Sequence, residues 1–166
     1  MKTLSIPAIL ALSIGLLSAA TADAATASSP ASADLVPAIA ITNTVPLEFG
    51  QIVPSATIGT VTVPTAGNRA ISGGVTLANG IVATPSSFDV TGSADSTYAI
   101  TLPTSITLLG VGPPMVVDGF VSDPSGNGLL SPQGTQTFPV GATLHVGVNQ
   151  PAGEYTGTFD VNIAYN

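Results

Sequence analysis

One imidazole, His145, and one guanidinium, Arg69, stand beyond the first two dozen residues of this 166-residue chain. Eight carboxylates accompany them: Asp34, Glu48, Asp89, Asp95, Asp118, Asp123, Glu154 and Asp160. These are the groups available for acid, base or ionic chemistry. A Ser-His-acid triad needs three side chains to converge, with the base within hydrogen-bond reach of its nucleophile. His145 lies in Ala142-Thr143-Leu144-His145-Val146, on the parity opposite Leu144 and Val146, so it is expected to face outward. No local pattern around it supplies a nucleophile elbow. Arg69 opens a strand-like run, Gly67-Asn68-Arg69-Ala70-Ile71. An exposed ion pair with one of the acids is the expected role for it; a buried guanidinium bonding carbonyls is the alternative.

Glu48 and Glu154 are the two glutamates. Glycoside hydrolysis uses a carboxylate pair, but these are distant in sequence and the chain has no Trp to stack a sugar. Asp118, Asp123 and Asn127 share one loop region, and oxygen ligands suit calcium; their spacing fits no calcium loop, which leaves a turn with solvated acids. No enzyme, no cofactor and no metal is therefore expected. Two Lys plus Arg in the whole chain exclude an electrostatic nucleic-acid binder. The absence of Cys excludes a disulfide scaffold and thiolate metal sites.

The elements that position these residues read as strands. Hydrophobic residues make up 45% of the chain, and 18 Gly and 14 Pro are spread along its length, which argues against a helical bundle. Period-two alternation recurs in Val61/Val63, in Ile71/Gly73/Val75/Leu77, and in Phe88/Val90. It continues in Tyr98/Ile100/Leu102, in Phe138 through Val148, and in Tyr155 through Tyr165. Met115–Val121 is a mixed run expected to be buried on both faces. Turn clusters separate the runs: Ala66-Gly67-Asn68, Asn79-Gly80, Gly112-Pro113-Pro114, Ser125-Gly126-Asn127-Gly128 and Pro151-Ala152-Gly153. Roughly eight to ten short strands at this spacing predict an all-β, immunoglobulin-like two-sheet β-sandwich, with a jelly roll as the alternative.

The first 24 residues have the order of a secretory signal peptide: Lys2, an apolar run over Leu4–Leu17, and Ala22-Asp23-Ala24 before the cleavage point. The run is shorter than the roughly 20 residues of a membrane span. The expected organisation is a leader over 1–24, a flexible N-terminal arm over 25–38, and the sandwich over 39–166, with no transmembrane segment after cleavage. Export through a periplasm to the cell surface or the medium follows from that order.

The terminal stretch Gly153–Asn166 carries the most specific pattern. Tyr155, Gly157, Phe159, Val161, Ile163 and Tyr165 share one parity, Tyr165 is penultimate, and Gly153 is fourteenth from the end. In these respects the chain resembles subunits of chaperone–usher pili, in the archaic, spore-coat-U-like branch. Leu47-Glu48-Phe49-Gly50 after a short N-terminal run adds to that likeness. More closely, the chain resembles a secreted bacterial family, domain of unknown function 4402. The matching pieces are Leu47–Val53, Gly59–Val63, Gly73–Leu77, Phe88–Gly92, Thr97–Pro103, Val140–Leu144 and Tyr155–Phe159.

The closer resemblance implies a secreted β-domain. The pilus-subunit resemblance implies an exported structural subunit of a filament or fimbria, assembled by donor-strand complementation. Its contact strand for a chaperone or neighbouring subunit would be Tyr155, Gly157, Phe159, Val161, Ile163 and Tyr165. Its donor arm would be Leu35, Val36, Ala38 and Ala40. It implies as partners further copies of the chain, a periplasmic chaperone and an outer-membrane usher. The alternative is a self-complete secreted binding module active in cell adhesion.

Overall fold

A computed structural model describes residues 25–78 and 80–166. The proposed leader, and Asn79 of the Asn79-Gly80 turn, lie outside the described residues. Residues 25–34 have no regular secondary structure and are exposed throughout. Leu35–Asn166 forms a compact unit, and all its regular structure is β.

The strands are β1 (Ala40–Val45), β2 (Ile52–Val63), β3 (Ala70–Leu77), β4 (Ser86–Thr91), β5 (Thr97–Thr101) and β6 (Ser105–Gly110). They continue as β7 (Met115–Ser122), β8 (Asn127–Leu129), β9 (Thr135–Val146), β10 (Tyr155–Thr156) and β11 (Asn162–Tyr165). Eight form one antiparallel sheet, ordered β1-β4-β9-β7-β6-β10, with β2 joined to β9 and β3 to β2. The other three form a small sheet, β11-β5-β8. The fold is a two-sheet β-sandwich.

The spine is β9. Its inward parity is Phe138, Val140, Ala142, Leu144 and Val146, each 5% exposed or less. Period-two alternation over a twelve-residue strand sends all of these to one face. One edge of β9 is shared by two strands end to end: β4 pairs with Thr135–Val140 and β2 with Ala142–Val146. The other edge takes β7.

Two hydrophobic clusters result. Phe88, Val90, Tyr98, Ile100, Leu130, Phe138 and Val140 pack between the sheets. Phe49, Val61, Val63, Val75, Met115, Val117, Ala142, Leu144 and Val146 pack over the other half of the large sheet. No residue of β5, β8 or β11 belongs to this second cluster. Three strands cannot cover eight, so this half of the core is covered by connections instead.

Two expectations are corrected. Met115–Val121 is not buried on both faces: Met115 and Val117 point in, Val116 points out, and the phase shifts at Gly119, which has a φ of 60°. Up to that shift only one parity of the strand is buried. The terminal run does not form one continuous strand. It pairs first with the large sheet through β10 and β6, then with the small sheet through β11 and β5.

Candidate acceptor cleft

The terminal segment keeps its alternation while changing sheets. Tyr155, Phe159, Val161, Ile163 and Tyr165 are half-buried, and every residue between them is exposed. Gly157 shares their parity but is exposed, and a Cβ there would meet the Thr107 carbonyl and Leu108. The pairing lapses in the middle of this segment. Residues 157–161 belong to no ladder, since the pairs with β6 end at Thr156 and those with β5 begin at Asn162. Side-chain packing alone holds this stretch, through the Phe159 ring 5.0 Å from Phe120 and 6.0 Å from Phe88.

Beside it lies a cleft of about 1040 Å³, at the upper end of the roughly 300–1,000 Å³ range of ligand pockets. Its floor is the half of the core that no strand of the small sheet covers: Phe49, Leu108, Met115, Val117, Leu144 and Val146. One wall is the 46–52 connection and the other is Gln150–Phe159. Gln150 is buried and its side-chain amide donates to the Pro113 carbonyl at 2.5 Å, which fixes the base of the second wall.

Arg69 braces the first wall. Its guanidinium donates to the carbonyls of Phe49 (2.6 Å), Gln51 (3.4 Å) and Ala78 (3.5 Å). It forms no ion pair among the described residues, so the expected surface pair gives way to the carbonyl-bonding alternative. The reason is local. Gly50 turns with a φ of 75°, which brings its neighbours' carbonyls together, and a Cβ at Gly50 would collide with the guanidinium. Glu48 and Glu154, distant in sequence, both line the cleft. Neither takes part in a side-chain hydrogen bond among the described residues.

The other singled-out residues lie elsewhere. His145 is exposed, as its parity predicts, and bonds Asp118 Oδ1 through Nε2 at 2.8 Å on the outer face. Residues 27 positions apart give no sequence signal of such a pair. Asp123 and Asn127 do not join it; no group of three potential metal ligands occurs among the described residues. Of the proposed donor arm, Leu35, Val36 and Ala38 are exposed, whereas Ala40 begins β1 and pairs with Thr91. Ala40 therefore belongs to the folded sheet. At the root of the arm, the Tyr165 hydroxyl donates to the Pro37 carbonyl at 2.9 Å and accepts from the Ser93 amide at 2.7 Å. The sequence contained no sign of that latch, because it joins the two ends of the domain.

Fold and cleft together define a two-sheet β-sandwich with a partly apolar cleft between the 46–52 connection and Gln150–Phe159. Residues 39–165 match the model of the family described as Domain of unknown function (DUF4402), and the chain belongs to that family. No curated protein and no solved structure matches it.

Proposed function

We propose that this chain is an exported structural subunit of a cell-surface filament, assembled by strand addition. An extended segment from another chain would enter the cleft and pair with the open backbone of 157–161. The observation that carries this reading is the combination of a lapsed ladder, half-buried alternating side chains and an apolar cleft on the same stretch of chain. In strand addition, main-chain hydrogen bonds supply affinity and alternate side-chain pockets supply specificity; this segment offers backbone outside the ladders beside an apolar cleft. The donor is the arm of a neighbouring copy, with Leu35, Val36 and Ala38 at its root. A periplasmic chaperone and an outer-membrane usher are the partners such assembly calls for.

A self-complete secreted adhesin is the second reading. It draws support from the side-chain polar atoms, none of which is buried without a partner among the described residues. Deleting residues 25–38 separates the two. The filament reading expects a folded domain that no longer forms polymers by electron microscopy or size-exclusion chromatography. Polymers from the deleted chain, or a wild-type chain that stays monomeric at every concentration, overturn it.

A further inference from the structure

The strand-addition reading leaves open which face of the arm enters the cleft, and so which side chains select the partner. Pro30 and Pro37 have no N–H to give a ladder. Between them lies Ala31–Val36, the longest run of the arm over 25–38 without a proline. Its six residues are enough to span 157–161, which stand outside both ladders. Alternation splits the run into Ala31, Ala33 and Leu35 on one face and Ser32, Asp34 and Val36 on the other. Leu35 is 91% exposed, whereas Val36 lines a small hollow of its own domain with Ser96, Thr97, Tyr165 and Asn166. Glu48 and Glu154 line the cleft, and no Lys, Arg or His does.

We propose that the cleft takes Ala31–Val36 of a second copy with Leu35 as its anchor, Ala31 and Ala33 following it inward. The proposal rests on the strand-addition reading and names the segment and its register. A ladder runs unbroken only where each pairing position has its N–H, which bounds the segment at the two prolines. The face made by Ala31, Ala33 and Leu35 has no polar side-chain atom, so it leaves water without stranding one. The opposite face would carry the Asp34 carboxylate into a cleft whose lining offers it two further carboxylates and no cation. An unpaired charge buried in that way is strongly unfavourable. Val36 is moreover placed against its own domain, next to the Tyr165–Pro37 bond, which leaves Leu35 as the bulky apolar side chain free of it. Placement points to a second copy as the acceptor. The Tyr165 hydroxyl holds Pro37 and Ser93 at the Ala40–Thr91 end of the β1/β4 pair, whereas Asn43, Pro46 and Ser86 line the cleft from the other end. The root of the arm therefore lies at the end remote from the chain's own cleft.

The test sets the two faces against each other. The acceptor is the purified full chain carrying Leu35→Ser, whose own arm has lost its anchor while its cleft is unchanged. It is titrated by fluorescence anisotropy with labelled peptides of residues 29–38: the natural sequence, Leu35→Ser and Val36→Ser. The natural peptide should bind. The Leu35→Ser peptide should bind about ten-fold or more weakly, the effect of withholding one leucine side chain from burial. The Val36→Ser peptide should stay within about two-fold of the natural one. Exchange of the 157–161 amides should slow in the complex. Among full chains, size-exclusion chromatography should show polymers for Val36→Ser and none for Leu35→Ser. Equal losses from the two peptide substitutions, a larger loss from Val36→Ser, or polymers from the Leu35→Ser chain overturn the Leu35 register and leave strand addition standing. If the natural peptide does not bind, or binds without slowing those amides, the arm does not fill the cleft and both readings fall.

Discussion

At the scale of single residues, burial separates the side chains that hold the fold from those that decorate it. Phe138 is fully buried, stacks on Phe88 with ring centroids 5.8 Å apart, and belongs to the spine strand. Phe138→Ala should lower unfolding free energy by about 3–5 kcal/mol, the usual range for a buried Phe, checked by urea denaturation. The His145–Asp118 pair is opposite in kind. Both side chains are more than 40% exposed, so His145→Gln should change stability by less than about 1 kcal/mol. Tyr98 shows what a buried polar group does to pH dependence. Its ring is wholly buried, its hydroxyl donates to Gln136 Oε1 at 2.9 Å, and burial raises its pKa from 10.0. A phenol whose pKa is higher in the folded state contributes stability below the unfolded value and loses it as pH rises through the folded one. Stability should therefore fall on an alkaline limb beginning above about pH 10, where unfolded tyrosine ionises. Tyr98→Phe should flatten that limb while lowering stability at neutral pH through the lost hydrogen bond. A limb unchanged in the variant would assign it to another group.

At the scale of elements, the terminal segment and the arm matter most. The strict parity of Tyr155 through Tyr165 is written in the residues and survives in the structure as alternating half-burial. Its division into β10 and β11 is not, because a switch between sheets depends on where β6 and β5 lie, and those strands come from elsewhere in the chain. Amide exchange should register the difference. Amides of residues 157–161 should exchange faster than those of Asn162–Tyr165, since open backbone is protected poorly, and an added partner strand should slow them. The Tyr165 latch belongs to this scale too. Tyr165→Phe removes the bonds to the Pro37 carbonyl and the Ser93 amide. Proteolysis at the root of the arm should then quicken while the core transition moves little.

At the scale of the whole molecule, the asymmetry of the sheets explains the cleft. Alternation predicts a sandwich because each half-apolar strand needs a covered face. It does not say how many strands each sheet receives, and the large sheet has taken eight to the small sheet's three. The surplus area of the large sheet becomes the floor of the cleft. Leu35 and Val36, at the root of the arm, are apolar side chains left exposed on the same chain.

The sequence by itself determined the fold class, the core parities of β4, β5 and β9, the outward position of His145 and the family, because these follow from local periodicity and residue type. Tertiary structure decided the rest. It brought Glu48 and Glu154 to one cleft, turned Arg69 from a surface ion pair to three carbonyls, placed Ala40 in β1 and broke the terminal strand in two. Each of these depends on contacts between segments far apart in the chain, and alternation specifies which face a residue takes but not which segment it will meet.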